Sequence, residues 1–524
     1  MILHQEWIDK AEQLKPSLIE ANVQPLQTIE VFSDKHVFQG WGTQIADSIE
    51  SVYSQSYGKG DSFILDFGSH FVGYLSLTVR TVGSPPDAPA KLKFTFGEVP
   101  CEIGESFSTY SGWLSSAWLQ EELLFLDTLP AEIKLPRRYA FRYVKVEIID
   151  TSLKFKVGFS DITCRTVTSG NSANIPALQQ TLPDDLQQLD RVAISTLQNC
   201  MQTVYEDGPK RDRRLWIGDL RLQAQANYLT FGDFDLVKRC LYLFAGMRLE
   251  DGAVGGCVFE KPYPHVDDIK LYDYALIFIA TLYDYYQASN DRQTLAELWP
   301  VAKEQIQLGL ARLDSRGIVI DDSSWWCFTD HANINKQASA QAILIYCAKR
   351  GLELAKVLET PEEQAQLEAE IERAANAAIE HLFDTTSQLF VSGGERDISW
   401  ASQVWMVLAE ILPKEANATL LQRLHETPAA IGMATPYMVH HYIEALFVAG
   451  MHELAVEQMQ KYWGGMIADG ADTFWEVYDP KDKNRSPYGS NLINSYCHAW
   501  SCTPTYFIRK YLVSEGEVAN GQQA

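Results

Sequence analysis

Basic residues are in short supply: 44 Lys and Arg stand against 68 Asp and Glu over 524 residues, a formal net charge of −24. That balance argues against nucleic acid and anionic membrane surfaces as partners, since both call for basic patches, and it favours a neutral ligand over a polyanion. Long hydrophobic runs are missing, so no segment is expected to cross a bilayer. The opening MILHQEWIDKAEQLKP is amphipathic and lacks the apolar stretch of a secretory leader. The nine cysteines are scattered, with no CxxC pair. This argues against a disulfide framework and a zinc site, and for reduced, buried thiols in a cytoplasmic protein. No EF-hand-like loop is present, and neither metal nor cofactor is expected. The absence of a repeat period argues against an open solenoid.

What is present reads as two domains. Apolar residues make up 46% of the chain and aromatics 11%, with 13 Trp, an ordinary globular composition with enough material for a large core. Residues 1–168 alternate at period two in SFILDFG, HFVGYLSLTVRTVG, KLKFTFGEV, FRYVKVEII and KFKVGFSDITC, separated by clusters such as GSPPDAPA. Short strands without intervening helices predict an antiparallel β-sandwich, jelly-roll-like in form. Residues 169–185 are polar and carry two prolines, as a linker would. From 186 to 513 the pattern is helical, in about eleven runs with a further one near Asn417–His425. Helices paired through short loops predict a closed toroid of six hairpins, an (α/α)6 barrel, followed by a flexible tail at 514–524. The funnel of such a toroid is lined by loops at one end of the inner helices. Acid-, aromatic- and His-bearing segments fall between helices at 205–219, 254–273, 321–331, 393–405, 469–478 and 491–500.

The densest of these is DGPKRDRRLWIGD, Asp207 to Asp219. It carries three carboxylates (Asp207, Asp212, Asp219), four basic residues (Lys210, Arg211, Arg213, Arg214) and Trp216. Gly208 and Pro209 forbid a regular helix at its start, so it reads as a charged loop entering a helix. A solvated turn is the plain alternative. Glycoside hydrolysis needs one carboxylic acid to protonate the leaving oxygen and a second carboxylate as base or nucleophile. The first would come from this loop. The best second candidate is Glu476, flanked by Trp475 and Val477 in GADTFWEVYDP; the alternative is a salt-bridged structural acid. His498 and Trp500, in NSYCHAW, are placed at the opening of the last long helix, where a His can donate to a sugar hydroxyl or simply sit satisfied in the core. Trp325 and Trp326 lie side by side in DDSSWWCFTDH, one expected to pack and one to face the funnel. Asp273 and Asp330 are candidate hydroxyl acceptors or anchors. His265, Asp267 and Asp268, in KPYPHVDD, are candidates for the funnel rim.

These segments resemble the α-L-rhamnosidases of glycoside hydrolase family 78. LDFGSHFVGYLSLTV and LPRRYAFRYVKVEI precede the helical part, and DGPKRDRRLWIGD, TFWEVYD and NSYCHAW follow in family order. The first helical-domain motif is the most specific, since family members usually carry a DCP-R-type segment ending in GD. The resemblance implies an inverting mechanism, with Asp212 at the position of the general acid and Glu476 at that of the general base. It also implies that Asp207, Arg211 and Asp219 hold sugar hydroxyls and orient the acid, that Trp216 and one of Trp325 and Trp326 wall the pocket, and that His498 lies near the sugar. Asp212 departs from the usual Glu by one methylene, so Asp207 or Asp219 is a candidate to share its role. The chain is also compact, with a single sandwich, which suits small rhamnosides. A homodimer is expected from the aromatic surface of both domains. The rival readings are another (α/α)6 activity, an epimerase or lyase, and a catalytically inactive sugar-binding protein.

Overall fold

The computed structural model describes residues 1–178, 181–330, 334–428 and 430–513. The tail at 514–524 and the last residue of the 321–331 segment lie outside the described residues, as do positions 179 and 180 of the linker.

Nine strands build the first domain: β1 (Ile19–Val23), β2 (Gln27–Ser33), β3 (Trp41–Ser48), β4 (Ser62–Gly83), β5 (Ala90–Gly97), β6 (Glu121–Leu126), β7 (Ala131–Lys134), β8 (Tyr139–Asp150) and β9 (Phe155–Thr168). All pairings are antiparallel. The two sequence runs SFILDFG and HFVGYLSLTVRTVG form one strand, β4, because Gly68 bends the chain without ending it. Its φ of +79° suits glycine, and a Cβ there would lie 2.3 Å from Leu26 Cδ1. The first half of β4 pairs with β2 and its second half with β7 and β9, while β8 runs beside both halves. One strand thus serves both layers of the sandwich. Beyond the bend, Leu75, Leu77 and Val79 face the core and Ser76, Thr78 and Arg80 alternate outward.

Twelve helices among the described residues build the second domain. The outer set is α1 (Asp184–Cys200), α3 (Phe234–Gly246), α5 (Arg292–Leu310), α7 (Pro361–Leu382), α9 (Lys414–His425) and α11 (His452–Ala468). The inner set is α2 (Ile217–Tyr228), α4 (Tyr272–Ser289), α6 (Gln337–Val357), α8 (Trp400–Leu408), α10 (Pro436–Val448) and α12 (Pro504–Phe507), the last running into a turn to Leu512. The sequence distinguishes the two sets. In α6 every residue from Ala338 to Ala348 is buried, whereas α7 buries only Leu367, Ala374, Ala377, Ala378 and Leu382 along one stripe. The inner helices α2 to α10 pack on one another in succession, α10 meets α12 where His440 and Phe447 face Phe507, and α12 returns to α2, closing the ring. Helix starts carry their own signals. Asp233, Asp291, Ser399 and Thr435 each accept a backbone N–H of the first turn, and Pro361 and Pro436 open their helices. Among the described residues no helix is long and apolar enough to cross a membrane.

Two placements differ from the sequence reading. The N-terminal segment belongs with the barrel: Ile2–Leu3 pairs with Met247–Arg248, and the helix Gln5–Gln13 packs on α3. Its amphipathic pattern buries one stripe there. His498 does not open a long helix. It is extended, a short 3-10 turn follows at Ala499–Ser501, and α12 begins only at Pro504, whose ring suits a helix start and blocks an interior position.

The sandwich braces the barrel loops through buried charge. Lys210 pairs with Glu102 of the sandwich and donates to Leu492 O (3.0 Å) and Asn494 O (2.8 Å). Glu98 accepts the Tyr496 N–H at 2.8 Å and holds His70 at 2.9 Å through its other oxygen. Arg138 forks onto Glu206 at 2.7 and 2.8 Å. Removing one partner of such a pair leaves a bare buried charge. Lys210→Met is expected to cost about 3–5 kcal/mol in urea unfolding, and the double variant Lys210→Met/Glu102→Gln to recover part of that loss.

Candidate active site

The loop between α1 and α2 is built by its own first acid. Asp207 accepts the N–H of Asp212 (3.2 Å) and of Arg214 (3.0 Å) on its two carboxylate oxygens, and its backbone N–H donates to Arg214 O at 3.0 Å. Gly208 leaves room for this closure, since a Cβ there would stand 2.5 Å from both Arg211 O and Ser495 Oγ. The Arg211–Asp212 peptide is cis and Arg213 has φ +64°.

Arg211 is the hub. Its Nη2 donates to Glu476 Oε2 at 2.5 Å, its Nη1 lies 3.4 Å from Asp212 Oδ1, its Nε donates to Ile493 O at 3.0 Å, and the Tyr488 ring lies 4.4 Å away. Glu476 also accepts the Ser495 N–H at 3.2 Å and the Tyr488 hydroxyl on its other oxygen. Trp500 Nε1 donates to the Glu476 carbonyl at 3.0 Å. Burial pushes the Glu476 carboxyl up, but the Arg211 guanidinium and the Tyr488 hydroxyl oppose it, and the carboxyl lies below the ordinary glutamate range. Asp207 moves the other way, to about 8, through burial and the adjacent Asp212 charge. Burial, with Asp207 and Glu476 nearby, also drives Asp219 well above the carboxylate range. Burial drops His498 to about 4, so its imidazole is neutral. Asp219 Oδ1 and His498 Nδ1 stand 3.5 Å apart, both buried and both without a hydrogen-bond partner. Buried polar atoms left open in this way fit the hydroxyls of a bound ligand.

These residues surround one cavity of about 410 Å³ at the N-terminal ends of α2 and α4. Of the residues singled out in the sequence, Asp207, Arg211, Asp212, Trp216, Asp219, Trp326, Glu476, His498 and Trp500 line it. Four others are placed elsewhere. Asp273 accepts the Phe328 and Thr329 N–H groups (2.9 and 2.7 Å) and so shapes the loop carrying Trp326. Trp325 is buried edge-on to Tyr272 with Lys270 over its face. Asp330 accepts from Ala434 N (2.8 Å) and Thr435 Oγ1 (2.5 Å) at the start of α10. Trp475 stacks on Phe38 of the first domain at 4.1 Å. At the expected rim, His265 stacks on Phe259 and Asp267 lies 3.7 Å from Arg214. Neither they nor Asp268 lie among the residues lining the cavity.

The sequence reading passed over Trp113, Ile269, Leu271, Tyr274, Phe328 and Tyr488, which complete the lining. Tyr274 and Phe328 lie within two residues of residues that were singled out. Trp113 comes from the sandwich and Tyr488 from an irregular stretch, with no periodic signal at either. Among the described residues no group of three or more His, Cys, Asp or Glu is gathered to hold a metal ion.

A closed toroid of six helical hairpins with buried acids and aromatic walls at its mouth holds the parts that a glycoside hydrolase needs. Residues 25–166 match the glycosyl hydrolase family 78 alpha-rhamnosidase N-terminal domain, and residues 179–512 the bacterial alpha-L-rhamnosidase six-hairpin glycosidase domain. A solved rhamnosidase from Klebsiella oxytoca, with rhamnose bound, is 48% identical over 98% of this chain and 99% of its own, with a TM-score of 0.95. The family 78 rhamnosidase of Bacillus sp. GL1 shares the fold at 20% identity and TM-score 0.75, over 90% of this chain and 49% of its own. The alpha-L-rhamnosidase of Streptomyces avermitilis, complexed with L-rhamnose, does so at 17% and 0.66, over 95% and 44%. No curated protein matches the sequence. The chain belongs to the α-L-rhamnosidases of glycoside hydrolase family 78.

Tyr488→Phe removes one hydrogen bond that stabilises the Glu476 anion. The Glu476 pKa should rise, and with it the acidic limb of the kcat/KM profile should move to higher pH. A profile measured from pH 3 to 8 on both proteins checks this.

Proposed function

We propose that the chain is an inverting α-L-rhamnosidase that releases terminal α-L-rhamnose from small glycosides, with Asp212 as general acid and Glu476 as general base. One observation carries the assignment: a single guanidinium, that of Arg211, is shared by a deeply buried carboxylate held ionised, Glu476, and a more exposed one, Asp212. Glu476 takes a proton from a water as that water attacks the anomeric carbon. Asp212 gives its proton to the departing oxygen on the opposite face, and the product is β-L-rhamnose. Asp219 and His498, each with an open polar atom, receive the sugar's hydroxyls, and Trp216, Tyr274, Phe328 and Trp500 cover its apolar faces. The likeness to the rhamnose-bound Klebsiella enzyme supports rhamnose as that sugar. A cavity of about 410 Å³ supports a small glycoside over a polymer. Nine free, buried thiols support a reducing compartment, the cytoplasm.

A second reading of the acid is favoured by one observation. Burial holds Asp207, beside Asp212, at about 8, so it carries a proton at neutral pH. In that reading Asp207 shares the donor role with the shorter Asp212.

Proton NMR of the reaction on p-nitrophenyl α-L-rhamnoside, followed before mutarotation, should show β-rhamnose first; α-rhamnose first would overturn inversion. Glu476→Gln is expected to lower kcat about 10³-fold. Asp212→Asn should impair an alkyl rhamnoside far more than the nitrophenyl one, whose leaving group needs little protonation. If Asp207→Asn shows that asymmetry instead, the donor is Asp207.

A further inference from the structure

With the sugar on the cavity floor, the leaving group must depart towards solvent. The Glu476 side chain is 4% exposed and that of Asp212 20%. Beyond them exposure rises to 40% at Trp326 and 72% at Trp113. This gradient orders floor, acid and mouth, and sets the two tryptophans where the aglycone emerges.

Trp113 is contributed by the sandwich domain, between the turns Phe107–Thr109 and Ser116–Trp118. It is bare yet not loose. Its backbone N–H donates to Tyr488 O and its indole N–H to Pro487 O, both at 3.1 Å. Its ring lies 5.7 Å from that of Tyr488. An indole with both N–H groups tied down offers only its ring faces, and fixing it beforehand removes the ordering cost of binding. Trp326, the other exposed aromatic of the cavity lining, is held against Phe328 (6.2 Å) with the Lys336 ammonium 3.9 Å from its ring. That ammonium already donates to Cys327 O. Ile269 and Leu271 also line the cavity. These four side chains present neither amide nor hydroxyl to a second sugar, while a flat apolar ring would be covered well.

Building on the rhamnosidase reading, we infer that Trp113 and Trp326 form an aglycone site for an aromatic ring, so that the preferred substrates carry rhamnose directly on an aromatic alcohol or phenol. The sandwich domain then sets leaving-group specificity for chemistry performed in the barrel.

Benzyl and methyl α-L-rhamnosides release alcohols of closely similar acidity, so proton donation weighs alike in both and their kcat/KM ratio reads aglycone contact. The native enzyme should favour the benzyl glycoside. Trp113→Ala should lower the benzyl-to-methyl ratio by about tenfold, mainly through the KM for the benzyl glycoside, and Trp113→Phe should keep most of it. A ratio that Trp113→Ala leaves within twofold of native would overturn the inference, as would native preference for a rhamnosyl-glucose disaccharide over the benzyl glycoside. Failure of the native enzyme to cleave any rhamnoside would instead overturn the rhamnosidase reading, and this inference with it.

Discussion

The charge of Arg211 is the constraint around which the site is arranged. Two carboxylates on different loops, Asp212 and Glu476, lie against one guanidinium that is itself buried beneath Tyr488. A buried carboxylate left alone takes up a proton and loses its power as a base. Arg211 prevents this at Glu476, and its third contact, with Ile493 O, ties the position of the charge to the segment that carries His498. Glu476 is stabilised as an anion while Asp207, Asp219 and His498 are pressed towards neutrality. Burial presses those three towards neutrality, and the buried cation keeps Glu476 ionised among them.

That arrangement depends on the first domain. Glu102 neutralises Lys210, the neighbour of Arg211, and Glu98 fixes the backbone at Tyr496, two residues before His498. Arg142 bonds Asp66 within the sandwich and reaches Asp472, near Glu476, at 3.5 Å. Phe38 stacks on Trp475, the residue before Glu476. The sandwich meets the loops that hold the acids, and loops carrying so many polar groups need such external partners to stay in one conformation.

Much of this was legible before any coordinates. Alternation at period two marked the sandwich, and about a dozen helical runs joined by short loops marked the toroid. The segments DGPKRDRRLWIGD, TFWEVYD and NSYCHAW held most of the cavity's polar side chains, and they carried the family resemblance that the comparisons then established. Asp273, Asp330 and Trp475 are of the same residue types, at a helix start and in loops beside the site, yet they serve the scaffold around it. In the sequence a carboxylate looks alike whether it receives a ligand's hydroxyl or the N–H groups of its own chain, as at Asp273 with Phe328 and Thr329.

Trp325 and Trp326 show where the division falls. The local sequence determined that two large aromatics occupy this loop, as it determined the helices and strands, because propensity, periodicity and capping act over a few neighbouring residues. Tertiary structure alone decided that Trp325 packs against Tyr272 while Trp326 faces the cavity, and that Trp113, about a hundred residues before the acidic loop, stands at the same mouth. Those outcomes depend on which surfaces the folded chain brings together, and burial, desolvation and shared charge act between residues far apart along the chain.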